Sequence, residues 1–361
     1  MAKADWSDEA VLDVVRAHVL PAIERHGSIR YWIVDDTGFP KKGTHSVGVA
    51  RQYCGQVGKQ ENCQLAVTLS LANAHASLPI AFRLYLPETW ANDPERRARA
   101  GIPDEIAFQT KPAIALDQIR RALAAGVPVG VVLADAGYGV DTGFRASLTA
   151  LGLIYVVGIQ SSTSLWWPGT GPLPPKSWSG RGRPPSRVRR DPEHQPVSAK
   201  SLAQSLPAEA WQSVTWREST RAPLASRFAA VRVRPAHRDT DRAEPWPEEW
   251  LLAEWPAGER EPTTYFLSSL PVDVPLTDLV TAAKARWRIE RDDQELKQEI
   301  GLGHYEGRGW RGFHHHASLS IAAYGFLVAE RSRFPPEQRF ARPHNAPALP
   351  ASFRPRGAAP A

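Results

Sequence analysis

Three acidic residues lie far apart in the sequence, at positions where a folded chain can present carboxylates to metal ions. Asp35 closes the apolar run 31–34, Asp135 closes the apolar run 131–134, and Glu290 lies in a late helical pattern. Mg²⁺ keeps waters and substrate phosphates among its ligands, so a few protein carboxylates are enough to bind it. A pair of such ions can activate a water or a 3′-hydroxyl and stabilise the leaving oxygen of a phosphodiester. The three acids therefore predict a metal site for phosphodiester cleavage or exchange.

The first of these acids has a neighbour that offers an alternative. Side chains alternate along a strand, so Asp35 shares a face with Ile33, whereas Asp36 points to the opposite face. We predict Asp35 as the first ligand, with Asp36 left open. Either residue can instead cap the turn before Gly38, just as Asp135 can serve as a turn residue.

Glu290 belongs to a charged stripe on its predicted helix. Arg286 lies four residues before it, Asp293 three residues after it and Lys297 seven residues after it. Residues at these spacings share one side of an α-helix. A solvated salt-bridge face is the alternative interpretation of such a pattern. If the stripe faces the two other acids, Arg286 and Lys297 are expected to bind DNA phosphates.

Basic residues elsewhere predict further contacts with a polyanion. The chain has a formal net charge of +6, which permits binding to DNA without requiring it. Lys41 and Lys42 follow the first acid closely and can neutralise a bound phosphate. The segment Gly-Arg-Gly-Arg-Pro contains Arg181 and Arg183, a pattern that can enter a narrow minor groove. A solvated basic loop that touches phosphates without reading bases is the alternative.

The order of predicted elements before residue 160 indicates how the first two acids are positioned. Apolar patterns predict helices over 8–24, 113–125 and 142–151, and strands over 31–35, 46–56, 61–72, 78–86, 127–134 and 153–159. Short turns join the early strands, which should be antiparallel, whereas helices separate the later ones. This order predicts an α/β fold with a mixed sheet and helices on both faces, compatible with a ribonuclease-H-like core.

Chain-breaking residues and a returning β pattern divide the rest of the chain. Pro, Gly and Arg are dense over 160–205, where no packed helix or strand is predicted. Strand patterns return at 211–216, 227–233, 250–255 and 263–268, and helical patterns at 276–298 and 313–332. We therefore predict the first part of the catalytic core over 1–159, a Pro/Arg-rich loop and β-rich insertion over 160–275, the C-terminal helices of the core over 276–333, and a disordered tail over 334–361.

Composition narrows the class of protein. No apolar run approaches the roughly 20 residues of a membrane-spanning helix, and the polar start of the chain does not fit a signal peptide. Cys54 and Cys63 lack histidines at zinc-ligand spacing and are predicted to be packed, reduced thiols. A cytoplasmic protein without a membrane partner is expected.

Several sequence blocks, in the same order, are similar to those of one known family. They are VDDTGFPKKG (34–43), SVGVARQY (46–53), NCQ (62–64), LYLP (84–87), AD and YG (134–139), RWRIE (286–290) and YEGRGWRG (305–312). Through them the chain resembles bacterial insertion-sequence transposases of the DDE superfamily, of the insertion-sequence-701 type, over residues 6–330. So many blocks in one order are not expected by chance.

The resemblance implies a ribonuclease-H-like fold and metal-dependent strand cleavage and strand transfer at element ends. It implies that Asp35, Asp135 and Glu290 are the catalytic acids, and that they hold a pair of Mg²⁺ ions, with Mn²⁺ as the alternative. Arg308, in the last block, becomes an expected DNA contact. The implied partner is double-stranded DNA, at the element ends and the target, bound by a homodimer in a bacterial, nucleoid-associated setting.

The chain departs from the family pattern in two ways. Related transposases share the signature Tyr-x2-Arg-x3-Glu-x6-Lys, of which this chain has Arg286, Glu290 and Lys297 but Ala283 at the Tyr position. One DNA-positioning contact is therefore expected to be missing. The family also commonly has an extra helical, DNA-binding region before the position where this chain begins, and a longer C-terminus, so a sequence trimmed at both ends is expected. The alternatives are a catalytically silent DNA-binding remnant and a ribonuclease-H-like nuclease without strand transfer.

Overall fold

The computed structural model describes residues 4–217 and 224–334, which form a large mixed β-sheet with flanking helices. Its strands are β1 Tyr31–Pro40, β2 Ala50–Cys54, β3 Lys59–Ala72, β4 Ser77–Leu84, β5 Val131–Ala134, β6 Tyr155–Ile159, β7 Ser164–Trp166, β8 Val197–Ser198, β9 Gln212–Arg217, β10 Leu224–Pro235, β11 Glu249–Trp255 and β12 Thr264–Ser268. Its helices are α1 Asp8–Glu24, α2 Glu88–Ala91, α3 Pro94–Ala100, α4 Lys111–Ala124, α5 Ala136–Gly139, α6 Thr142–Ala150, α7 Ala199–Ser205, α8 Leu276–Lys284, α9 Trp287–Gln298 and α10 Trp310–Arg333. The predicted α/β fold with a mixed sheet and flanking helices is confirmed.

Hydrogen bonds connect the strands into one continuous sheet. Their order is β2-β3-β1-β5-β6-β12-β11-β10-β7-β8, with β4 paired to β3 and β9 paired to β10. β1 is antiparallel to β3 and parallel to β5, and β5 is parallel to β6. The sheet then continues through antiparallel pairing of β6 with β12. Parallel strands therefore occupy the middle of the sheet, and antiparallel strands extend it on both sides.

Alternating side chains of the central strands pack against different helices. Trp32 and Val34 are buried in the large core cluster that also takes apolar residues of α1, α4, α6 and α10. Tyr31 and Ile33 belong to a second cluster, which takes residues of α8 together with Ile289 of α9. Strand alternation places Asp35 on the same face as Ile33. The fold therefore turns Asp35 toward the face covered by α8 and α9.

The prediction that β1 ends at Asp35 is wrong. Its antiparallel pairing with β3 continues as far as Pro40 and Cys63, because β3 is long enough to pair with the whole strand. The parallel pairing with β5 stops earlier, at Ile33 and Leu133. Asp35 therefore lies within a strand, just beyond the point where its parallel neighbour ends.

The prediction that 160–205 contains no packed helix or strand is also wrong. β7 pairs with β10 and β8 pairs with β7, although these strands are short. Helix α7 begins after Ser198, whose side chain accepts a hydrogen bond from the backbone N–H of Ser201. Pro and Gly exclude long elements from this region, but they leave room for short ones at its two ends.

A continuous helix was predicted over 276–298, but the structure has two helices with a break at Ala285 and Arg286. Backbone hydrogen bonds across the break run from Ala285 to Ala282, from Arg288 to Ala285 and from Ile289 to Arg286. This i to i−3 spacing is that of a tightened 3₁₀ turn. Arg286 therefore lies at the junction of the two helices.

None of the helices within the two described ranges has the combination of length and apolar content needed to cross a bilayer. The tail predicted over 334–361 lies, apart from Phe334, outside the described residues. Cys54 and Cys63 are buried free thiols.

Candidate metal site and nucleic-acid interface

The parallel pairing of β1 with β5 sets two of the predicted acids side by side. Ile33 pairs with Leu133, so the same register carried two residues further sets Asp35 level with Asp135. Asp135 follows β5 directly and caps helix α5, where its Oδ1 accepts a hydrogen bond from Gly137 N at 2.8 Å. The second acid is therefore held by the start of a short helix, whereas the first is held by a strand.

The third predicted acid reaches the first through an arginine. Arg286 Nη1 lies 2.5 Å from Asp35 Oδ2, and Arg286 Nη2 lies 2.9 Å from Glu290 Oε1. One guanidinium thus bridges the two carboxylates. The distance between the carboxylates is therefore at most the width of the guanidinium plus the lengths of the two hydrogen bonds. Glu290 is largely solvent-exposed, with 61% of its side chain accessible, whereas 14% of the Asp35 side chain is accessible.

Burial dominates the electrostatics of Asp35. It raises the pKa of this carboxyl to about 7, against the lowering effect of Arg286, and the nearby carboxylates of Asp135, Asp293 and Asp36 raise it further. Such crowding of acids is unfavourable unless a cation neutralises them. Here the Arg286 guanidinium provides that positive charge.

An open cleft of about 400 Å³ adjoins these residues. Asp135, Arg286 and Glu290 are among the residues that line it, together with the aromatic side chains of Trp216 and Trp287. The predicted second and third acids therefore face a common space. Its aromatic walls come from β9, from β12 and from the first residue of α9.

The rest of the predicted stripe docks along β1 rather than facing solvent. Lys297 Nζ donates hydrogen bonds to Gly38 O at 2.7 Å and to Gln56 Oε1 at 3.2 Å, and burial lowers its pKa. Burial likewise raises the pKa of Asp293 to about 6, while Lys297 and a hydrogen bond with Thr37 lower it. The stripe therefore fastens α9 to the strand that carries Asp35. The sequence indicates Asp293 only as a member of the stripe, through its spacing of three residues from Glu290. It does not indicate the hydrogen bond of Asp293 with Thr37.

A buried acid on the adjacent side of α9 fixes that helix to the core. Asp292 Oδ1 accepts hydrogen bonds from Ser77 Oγ at 2.7 Å and from the Tyr324 hydroxyl at 2.8 Å. These partners belong to β4 and α10. Burial raises the pKa of Asp292 to about 6, against the lowering effect of the two hydrogen bonds. No sequence pattern distinguishes this residue from the other acids of the helix.

Asp36, the alternative first ligand, is engaged on the opposite face of β1. Its two carboxylate oxygens accept hydrogen bonds from Lys111 Nζ at 3.0 and 3.1 Å. Lys111 is the first residue of α4. Asp36 thus joins the strand to a helix on the side away from Arg286.

The carboxylates suit a hard divalent cation in kind, although they are not assembled around a common point. Within residues 4–217 and 224–334, no group of three or more His, Cys, Asp or Glu side chains has the arrangement of a metal site. Arg286 stands between Asp35 and Glu290. Binding of a metal by Asp35 together with Glu290 therefore requires the guanidinium to move aside.

The predicted DNA contacts fall into two groups. Arg286 and Lys297 contact the residues around Asp35, as described above. Lys41 donates a hydrogen bond from Nζ to Tyr305 O at 2.5 Å and so ties two loops together. The remaining predicted contacts are exposed, and no hydrogen bond or ion pair links their side chains to the acids within the described ranges; they are Lys42, Arg181, Arg183 and Arg308.

Comparison of the sequence with known proteins shows the family of this chain. The sequence profile of a family described as "DDE superfamily endonuclease" matches residues 1–223. The chain belongs to this family. The matched part of this DDE superfamily endonuclease contains Asp35 and Asp135, whereas Glu290 lies beyond it. The place of Glu290 beside the other acids therefore rests on the geometry of α9.

One curated relative carries a more specific name. The chain is 36% identical over 132 residues to a protein of Microchaete diplosiphon named "Probable transposase for insertion sequence element IS701". The aligned segment covers 36% of this DDE superfamily endonuclease and 32% of the relative. The similarity thus spans about a third of each protein.

Proposed function

We propose that this DDE superfamily endonuclease is a transposase that cleaves DNA strands at insertion-sequence ends and transfers them to a target. The observation that carries the proposal is the Arg286 guanidinium, which holds Asp35 and Glu290 together beside a cleft lined by Asp135. Asp35, Asp135 and Glu290 are the proposed catalytic acids. The name of the similar Microchaete diplosiphon protein supports the choice of a transposase over other endonucleases.

A ribonuclease-H-like core is proposed as the scaffold. The strand order β4-β3-β1-β5-β6, with antiparallel pairing up to β1 and parallel pairing after it, supports this assignment. Residues 1–159 then supply the first part of the core and 276–333 its C-terminal helices, around a β-rich insertion over 160–275. This division explains why α9 returns to β1 after a long excursion of the chain.

The proposed cofactor is Mg²⁺, or Mn²⁺ in its place, held as a pair of ions by Asp35, Asp135 and Glu290. Such ions would activate a water or 3′-hydroxyl and stabilise the leaving oxygen. Carboxylates are the protein ligands that Mg²⁺ prefers, and the open cleft leaves room for substrate phosphate and water.

Arg286 has two proposed positions. Without metal its guanidinium neutralises Asp35 and Glu290. When cations take over that task, the guanidinium is released to bind a DNA phosphate beside the same acids, which suits its planar set of donors. Lys297 keeps Gly38 and α9 in place through its hydrogen bond. Its proposed contribution to DNA binding is therefore mainly to position Arg286 and Glu290.

A strand-cleavage and strand-transfer assay with Mg²⁺ tests the proposal on duplexes that carry the element ends. Glu290→Gln keeps the size of the side chain but removes its charge, and it should abolish both cleavage and joining. Glu299→Gln is the matched control, because Glu299 is exposed at the end of the same helix, away from the cleft. It should retain both activities.

The other outcomes have distinct meanings. Cleavage without joined products would indicate a nuclease without strand transfer, whereas DNA binding without cleavage would indicate a catalytically silent remnant. Equal activity of Glu290→Gln and wild type would contradict the assignment of the third acid. The proposed homodimer is tested in the same samples by the mass of the protein–DNA complex.

A further inference from the structure

A second cleft, lined by basic residues, lies where the loop after β1, helices α2 and α3, and the segment before α10 meet. Its volume is about 480 Å³. The residues that line it are Thr44, His45, Trp90, Arg96, Arg99, Ala100 and Arg308. Three arginines and a histidine thus share one cavity, and none of the described residues that line it is acidic.

The arginines of this cleft are available to a ligand. Arg96 has an ion pair with Asp93 through Nε at 3.5 Å, which leaves its terminal nitrogens unused. No ion pair or side-chain hydrogen bond within residues 4–217 and 224–334 engages Arg99 or Arg308, and both are exposed. The neighbouring Arg97 shows the contrast, since its guanidinium donates to backbone carbonyl groups of the loop that follows α3. Arg97 therefore supports the fold and Arg96 is partly neutralised by Asp93, while Arg99 and Arg308 have no ion pair within the described residues.

The walls of the cleft are fastened to one another. Trp90 Nε1 donates to Val49 O at 2.8 Å, which ties α2 to the loop after β1. Val47 N donates to Arg308 O at 3.1 Å, which ties the same loop to the segment before α10. The Arg96 guanidinium lies 5.0 Å from the centre of the Trp90 ring. Arginine side chains that line one cleft repel one another, so the arrangement favours a bound anion.

We propose that this cleft binds backbone phosphates of duplex DNA at a distance from the phosphodiester that reacts. This inference rests on the proposed function for the identity of the anion. Strand β1 leads from Asp35 to Pro40, and the loop that follows lines the cleft. Five residues of strand span about 17 Å, the length of about five base pairs of B-form duplex. The cleft would therefore hold the duplex about half a turn or more from the site of reaction, without reading its sequence.

The test measures DNA binding with a chelator present, so that no strand is cut. The probe is a duplex of arbitrary sequence about three helical turns long, titrated by fluorescence anisotropy from about 0.05 to 0.2 M salt. The test variant is Arg99→Gln with Arg308→Gln. The matched control is Arg25→Gln with Arg333→Gln, which removes the same charge at exposed positions. Arg333 lies at the other end of α10 from the cleft.

Each phosphate contact contributes about 0.9 to the slope of log affinity against log salt, so loss of two contacts should reduce that slope by about two. The control should keep the wild-type slope, and melting curves of both variants should match the wild type. A test variant with the wild-type slope, or an equal decrease in both variants, would overturn the cleft proposal. Glu290→Gln should bind DNA with the wild-type slope yet fail to cleave it. A cleft-dependent slope in a protein that never cleaves would support the cleft and refute the proposed function.

Discussion

Replacement of Asp292 by asparagine should stabilise the protein near neutral pH, because its carboxylate lies where a charge is costly. Burial raises the pKa of this group from the ordinary 3.8 to about 6. A shift of about two units corresponds to about 3 kcal/mol between the two protonation states. Asparagine keeps an oxygen that can accept the hydrogen bonds from Ser77 and Tyr324, but it carries no charge.

The sign of the pH dependence follows from proton uptake. Between pH 3.8 and about 6 the folded protein binds a proton at Asp292 that the unfolded chain has released. The contribution of Asp292 to stability is therefore greatest at acid pH and declines as pH rises through this window. The asparagine variant lacks this term. It should exceed the wild type by up to about 3 kcal/mol at about pH 7.5 and approach it at about pH 4.

Urea unfolding from about pH 4 to pH 8 measures this difference, and titration of all other groups cancels when the two proteins are compared at each pH. Asp292→Ala is the control. It leaves the hydroxyl groups of Ser77 and Tyr324 without their acceptor, so it should be less stable than Asp292→Asn by about 2 to 4 kcal/mol at every pH. A difference between wild type and Asp292→Asn that does not change with pH would refute the reasoning. Because asparagine preserves the anchor of α9, DNA cleavage should survive in Asp292→Asn.

Three further predictions concern the surroundings of the site. Arg286→Gln should bind Mn²⁺ about fivefold more tightly in the absence of DNA, since the ion pair that competes for Asp35 is worth about 1 kcal/mol at a partly exposed position; calorimetric titration measures this, and unchanged or weaker binding would contradict it. Lys111→Met should lower the free energy of unfolding by about 1 to 2 kcal/mol because it leaves Asp36 without its ion pair; in urea unfolding, the effects of Lys111→Met and Asp36→Asn should not add, and additivity would count against the pair. Gly139→Ala should destabilise the fold by more than about 3 kcal/mol, since the added Cβ would lie 1.9 Å from the backbone oxygen of Gly158; a melting temperature equal to that of the wild type would disprove the contact.

The positions of the first two acids could be predicted from the sequence, because each depends on the few residues that precede it. Each follows a short apolar run that predicts a strand, and the order of the elements predicts a mixed sheet. The structure pairs Ile33 with Leu133 and so brings the two acids level. What the local pattern could not indicate is that β1 continues to Pro40. That extension depends on β3, whose apolar residues pair with it from a later part of the chain.

The arrangement around α9 was less predictable. Spacing alone predicts that Arg286, Glu290, Asp293 and Lys297 share one side of the helix. It does not distinguish a solvated face from one that docks on β1, because both satisfy the same periodicity. The break between α8 and α9 also lacks a local signal, since no Gly or Pro lies there. The ion pair of Arg286 with Asp35 lies at this break.

Two short helices illustrate a different limit. Asp93 caps α3, and Pro94 occupies its first position, a recognisable start signal. No helix is predicted in this region from the sequence, because α2 and α3 are too short to show a helical pattern of apolar residues. In the folded protein, Trp90 of α2 and Arg99 of α3 line one cleft.

The continuous ladder from β6 through β12 to β11 and β10 has a mechanical consequence. Ile159 pairs with Tyr265 and Val156 with Ser268, so residues about a hundred positions apart share hydrogen bonds within one sheet. Because strand pairing joins β10, β11 and β12 to β6, this part of the sheet cannot move as a separate unit on a flexible linker. It also cannot unfold without exposing the edge of β6. The segment that supplies Trp216 to the cleft should therefore unfold together with the strands that carry Asp35 and Asp135, in a single cooperative transition.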